Sequence, residues 1–189
     1  HATLRFSEDG SLLHFGVAPP AVLQDTSLLE DEIVNVEVWH YEDERLYPQQ
    51  NVRAKSERER NYLAVAKLAT DQKMLVADGT TPETYTDRKV KSRYILATNE
   101  SPYQREMSWT GMTLRDVYVF DLETGEKQLL AEAIDGRPAV SPADKYVSWY
   151  SRRDSAWIIE TIDGTLITST RDIPAPVYDE RNDRPMHPY

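Results

Sequence analysis

Hydrophobic and polar residues alternate in short runs along this chain, and the runs end at turn residues. The clearest run is residues 116–130, DVYVFDLETGEKQLL. Val117, Tyr118, Val119, Phe120 and Asp121 predict a half-buried strand. Gly125 supplies a turn that needs φ > 0, and Lys127 to Leu130 return as a second strand. Glu123, Thr124 and Glu126 keep the tip polar. A single hairpin is common, so its recurrence is what carries information.

Shifted by 54 residues, NYLAVAKLATDQKMLVA (61–77) lies over RDVYVFDLETGEKQLLA (115–131), with Asp71 in place of the turn glycine. A third, shorter copy is AWIIETIDGTLIT (156–168), where Asp163-Gly164 marks the turn. A second element precedes the hairpins. FSEDGSLLHF (6–15) matches VSPADKYVSW (140–149), each a serine, a polar turn and an alternating strand ending on an aromatic. RYILA (93–97) holds the same place before the middle hairpin. Period-two alternation puts Leu13 and Phe15 on one face and His14 on the other.

One unit is then a short strand, a turn, a long strand, a linker and a hairpin. That is a four-stranded antiparallel meander of about 50 residues, the size of one propeller blade. A two-layer β-sandwich with similar hairpins is the competing arrangement. The ordered recurrence favours serial blades, which bury their faces on one another. The predicted class is all-β, a partial β-propeller of about three blades. Its units fall at about 1–78, 79–131 and 132–170, with 171–189 an extended segment entering a next blade.

Between these units the pattern changes. Residues 19–31 predict a loop, and IVNVEVWHY (33–41) predicts a strand with Val34, Val36, Val38 and His40 on one face. Its other face carries Ile33, Trp39 and Tyr41. Residues 42–60, EDERLYPQQNVRAKSERER, predict a charged connection carrying one helical turn, although 53–68 could also be written as a helix. Residues 100–112 predict a linker carrying Trp109. Residues 173–189 hold four prolines and predict an extended segment. Closed propellers have at least about four blades. The expectation is therefore a longer native protein, and self-association that covers the open end faces.

Composition narrows the function classes. The chain has 189 residues, 40% apolar and 29% charged, as in soluble globular proteins. Its formal net charge of −10 disfavours nucleic-acid partners. No apolar run approaches a membrane span. There is no cysteine, hence no disulfide, thiolate metal site or cysteine nucleophile. The chain starts at His1 with no initiator methionine or signal sequence, which reads as a processed or excised piece. Lack of cysteine fits a periplasmic or secreted protein and leaves the cytoplasm open.

Candidate chemistry is sparse. No two glycines stand four apart, so the G-x-S-x-G elbow is absent. His1 is terminal, His187 lies in the proline-rich tail, and His14 alternates with buried neighbours on a strand. His40 could serve as a ligand or base, but a strand-face histidine beside Trp39 is the plainer reading. No H-E-x-x-H or calcium loop occurs. Glu30, Asp31 and Glu32 read as a solvated charge run. Asp179, Glu180, Asn182 and Asp183 look more metal-like, but Arg181 and Arg184 interleave and predict local ion pairs. No phosphate cradle occurs either. No catalytic, cofactor or metal residue is therefore assigned. Of the aromatics, most predict packing between blades, and Trp109 is the candidate for an exposed one.

SEDGSLLHF and SPADKYVSW resemble the repeat of TolB-like and dipeptidyl-peptidase-type propellers. VEVWHYEDERLYPQQ, RNYLAVAKL and YDERNDRPMHPY resemble the N-terminal propeller of bacterial S9-family peptidases, the relatives of prolyl oligopeptidase and dipeptidyl peptidase IV. The segment Trp39 to Asp43 with Pro48 and Gln49 is the most specific part. The resemblance covers nearly all of this chain but only part of such an enzyme. It implies a propeller that caps an α/β-hydrolase domain with a Ser-Asp-His triad and filters peptide substrates by size. It brings no catalytic residue onto this chain, and Glu42, Asp43 and Glu44 lack the surroundings of the family's amine-binding glutamate pair. The alternative it leaves is a TolB-like or periplasmic sensor propeller that binds proteins or peptides.

Overall fold

Each recurring unit closes into one four-stranded antiparallel sheet. The computed structural model describes residues 4–20, 27, 29, 32, 33, 36, 38–86, 92–178 and 181. The first sheet runs β1 (Arg5–Phe6), β2 (Leu12–Val17), β3 (Tyr62–Lys67) and β4 (Gln72–Leu75). The second runs β5 (Glu83–Tyr85), β6 (Tyr94–Asn99), β7 (Arg115–Asp121) and β8 (Lys127–Ile134). The third runs β9 (Ala139–Val140), β10 (Tyr146–Ser151), β11 (Ala156–Thr161) and β12 (Leu166–Ser169). Each pairs its strands in sequence order, so all three are meanders of the blade type.

The repeat is kept down to single backbone angles. The equivalent turn residues Gly10 and Asp144 have φ of 71° and 55°, and the equivalent hairpin residues Asp71 and Gly125 have φ of 54° and 80°. Aspartate is one of the few side chains that adopts this conformation at modest cost. The hydrogen bonds repeat as well. Ser7 N–H donates to Leu12 O and Ser141 N–H to Tyr146 O, while each serine hydroxyl oxygen accepts from the strand N–H facing it.

The second sheet is buried on both faces because neighbouring residues point to opposite sides. Ile95 and Phe120, with Leu122, pack against Val65, Met74 and Val76 of the first unit. Leu96, Val117 and Val119 pack against Val147, Trp149 and Ile158 of the third. His14 faces the second sheet and is buried, opposite in sense to Leu13 and Phe15 as the alternation predicts. The outward face of the first sheet keeps Phe6 and Leu75 exposed.

Three segments depart from the sequence expectations. Among the described residues of 33–41 none is in a strand, and Val36, Val38, Trp39 and Tyr41 are exposed. β2 is already paired on both sides, to β1 and β3, so the inserted segment has no ladder beside it. Val34 lies outside the described residues. The charged connection forms a full helix, α1 (Tyr47–Arg58), and not a single turn. Pro48 presets the first turn, and Lys55 and Arg58 sit at the carbonyl end where the helix dipole favours cations. The helix stops before Asn61 because β3 begins at Tyr62. The linker at 100–112 is also helical: a 3-10 turn (Ser101–Tyr103) leads into α2 (Gln104–Thr110). Gly111 ends it at φ 66°, its N–H donating to Met107 O.

The first and second units are tied by Asp78. Its Oδ2 accepts from Lys127 Nζ at 2.6 Å, and its Oδ1 accepts from the backbone N–H groups of Thr80 and Thr81. Burial pushes this carboxyl up, but the hydrogen bonds from Lys127, Thr80 and Thr81 outweigh it and hold it well below its ordinary value. A carboxyl depressed on folding stabilises above its unfolded pKa, and that contribution is lost as pH falls through the folded value. Thermal melts are expected to show stability dropping below about pH 4, with a shallower drop in Asp78→Asn. Parallel curves for the two proteins would contradict this.

Candidate functional site

The insertion between β2 and β3 does not lie free. Arg105 of α2 donates to Tyr41 O at 3.0 Å, and the rings of Trp39 and Tyr47 stack at 4.5 Å. Between α1 and the ends of β3, β5 and β6 this leaves a cavity of about 680 Å³.

An ion-pair chain crosses the cavity wall. Arg45 lies 3.0 Å from Glu57, Arg60 lies 2.8 Å from the same Glu57 oxygen, and Arg60 reaches Glu83 at 3.5 Å. Burial pushes the Glu57 carboxyl up. The Arg45 hydrogen bond and the Arg60 charge and hydrogen bond prevail, holding it below the usual range. Gln50 braces the loop before the helix, donating from Nε2 to Arg45 O at 2.7 Å and to Asp43 Oδ2 at 3.2 Å.

The opposite wall is the start of α2. Tyr103 donates to Asp116 Oδ1 at 2.5 Å, and the same oxygen accepts from Ala133 N–H at the irregularity between β7 and β8. Burial, then Asp116, pushes the Tyr103 phenol up to about 12. Arg115 pairs with Glu100 at 3.1 Å and donates to Tyr85 Oη at 2.5 Å. These contacts fix Glu100, Ser101 and Gln104 along the cavity.

Among the described residues, three buried polar atoms of lining residues lack hydrogen-bond partners: Arg45 Nε, a donor, Gln104 Oε1, an acceptor, and Thr98 Oγ1. Gln104 as a whole is 8% exposed. The side chain of Thr98 shares the Leu96 face of β6, which turns toward the third sheet. The arrangement suits binding. Its wall carries charges that are largely neutralised among themselves.

The residues weighed on sequence fall elsewhere. His40 is exposed, its Nδ1 accepting from Glu42 N–H at 3.2 Å. Asp43 and Glu44 line the cavity, whereas Glu42 does not. Trp109 is 77% exposed on α2. Glu32 Oε2 accepts from Leu29 N–H. Glu30, Asp31, Asp179, Glu180, Asn182, Asp183, His1 and His187 lie outside the described residues. Among the described residues no three His, Asp or Glu side chains are grouped to hold a metal, and no helix is long and apolar enough to cross a membrane. Sequence reasoning missed Arg45, Glu57, Arg60, Glu83 and Gln104. The Glu57–Arg60 spacing of three inside a helix-forming run was the available signal.

No family model and no curated protein sequence matches the chain. Among solved structures it is similar to TolB from Acinetobacter baumannii, with 12% identity and a TM-score of 0.42, over 88% of this chain and 31% of that one. It is also similar to a prolyl endopeptidase from a study of inter-domain dynamics in catalysis and specificity. That match has 12% identity and a TM-score of 0.33, over 93% of this chain and 28% of that one. The chain thus spans less than a third of the length of either protein.

Proposed function

We propose that this chain is the propeller portion of an S9-type serine peptidase, positioned to gate peptide access to an α/β-hydrolase domain farther along the same protein. The observation that carries the reading is the insertion between β2 and β3. The segment most specific to that family's resemblance, Trp39 to Gln49, stands outside the sheets and presents apolar surface. Val36, Val38, Trp39, Tyr41, Leu46 and Val52 are each more than half exposed. Such a concentration of exposed apolar side chains marks a covered surface, and the hydrolase domain is the proposed cover. Further blades of the same protein would cover Phe6 and Leu75 on the outward face of the first sheet.

The test is expression of the natural gene through its downstream segment. The longer protein is expected to hydrolyse proline- or alanine-containing peptides and to be labelled at serine by a fluorophosphonate, whereas the 189-residue chain does neither. A downstream segment without a G-x-S-x-G serine would overturn the reading. A second reading, a peptide- or protein-binding propeller with no hydrolase, is favoured by the cavity, because this chain alone builds it. A downstream coiled coil or kinase segment would select that reading.

A further inference from the structure

We propose that the cavity between β8 and the strands β10 to β12 binds a small organic ammonium ion, with its charge on Glu160 and its apolar body against Leu166. The inference goes beyond the proposed function and needs no hydrolase domain. It starts from a break in the repeat. The N–H groups of Leu122 and Ile162 donate to Arg93 O at 3.0 Å and to Lys145 O at 3.2 Å, which makes the two residues equivalent. Two positions earlier, Phe120 stands opposite Ile95, and Glu160 stands opposite Val147. Directly opposed residues share a sheet face. Ile95 and Phe120 are buried against the first sheet, and Val147 is buried against the second. A carboxyl therefore occupies the place in one blade interface that phenylalanine fills in the other.

Glu160 is half-buried, and among the described residues its carboxyl has no hydrogen-bond or ion-pair partner. Burial alone pushes this carboxyl up. It lines a cavity of about 500 Å³, within the range of small-molecule sites. Leu166 stands directly opposite Glu160 on β12 and is 57% exposed, so the carboxyl and an open apolar surface lie side by side, about 5 Å apart. Trp149 and Ile158 are the next opposed pair on the same face and form the floor. Met112 and Leu114, both half-buried, also line the cavity. The other charges of the lining are paired or exposed. Asp154 meets Arg171 at 2.9 Å, and Asp135 accepts from Arg152 N–H. Glu132 and Arg153 are exposed and opposite in sign, so solvent screens them. A half-buried carboxylate without a countercharge is destabilising. A cation entering the cavity supplies that countercharge, whereas an anion is repelled. An apolar body on the cation matches Leu166, Leu114 and Met112.

The probe is phenethylammonium, titrated into the 189-residue chain at neutral pH and followed by the methyl NMR signals of Leu114 and Leu166. Phenethyl alcohol, of the same shape without the charge, is the second probe. The expected result is a saturable shift of both leucines with the ammonium ion, and binding of the alcohol weaker by about tenfold or more. Glu160→Gln is expected to lower the ammonium affinity to that of the alcohol. Glu132→Gln removes an exposed carboxylate of the same lining and is expected to change the ammonium affinity by about twofold at most. That variant separates a built site from general attraction to an acidic surface. Should Glu160→Gln fail to fold, the two probes compared on the unaltered protein decide the same point. Equal affinity for the two probes, no saturable shift at Leu114 and Leu166, or an equal loss in Glu132→Gln and Glu160→Gln would overturn the assignment. None of these results bears on whether a reactive serine lies downstream, so this proposal and the proposed function fail separately.

Discussion

Gly136→Ala is expected to destabilise the protein by about 3 kcal/mol or more, the upper part of the range for forcing extra atoms into packed structure. A Cβ at this position would lie 2.1 Å from Tyr150 O and 3.0 Å from Tyr150 C. These are backbone atoms near the end of β10, and Tyr150 is opposite Trp157 in the ladder. Neither side can yield cheaply. The turn holding Gly136 is fixed by Asp135, which accepts from Arg152 N–H through both oxygens, and β10 cannot shift without disturbing its pairing with β11. Gly10→Ala is the control. Nothing lies within 4 Å of its Cβ, and only the φ of 71° opposes the substitution. Its cost is about 1–2 kcal/mol, that of a left-handed L-residue. Urea melts of both variants check the order, and a Gly10→Ala as damaging as Gly136→Ala would contradict the packing described.

Leu96→Ala is expected to cost about 2–5 kcal/mol. Leu96 is fully buried between the second and third sheets, among Val117, Val119, Val147, Trp149 and Ile158. These neighbours sit on two separate sheets, so collapse onto the cavity would require one sheet to move against the other. Leu129, half exposed on β8, is the comparison, and its replacement by alanine is expected to stay within about 0.5 kcal/mol. Equilibrium unfolding of the two variants measures both values.

The sheets were legible in the sequence because period-two alternation and turn chemistry are local. The match of 6–15 with 140–149 predicted equivalent turns, and Gly10 and Asp144 share one backbone conformation. The shift of 54 residues paired Asp71 with Gly125, and both are left-handed. Residues 33–41 misled for the opposite reason. Alternation there is as good as in β2, but a strand needs a free edge beside it, and pairing is decided by the whole sheet. For 47–58, helix-forming residues, an early proline and basic residues at the end were all present; the charge of the run masked them. The cavity was not legible. Arg45, Glu83 and Gln104 are separated by 59 residues at most and meet only because the first and second sheets pack together.

The direct measurement of serial stacking is a methyl–methyl nuclear Overhauser map. The structure predicts cross-peaks from Ile95 to Val65 and Val76, and from Leu96 to Val147 and Ile158. It predicts none from Val65 or Val76 to Val147 or Ile158, because the second sheet stands between them. Cross-peaks joining that last set would mean that the first and third sheets face each other as in a sandwich, and would contradict the blade arrangement on which the proposed function stands.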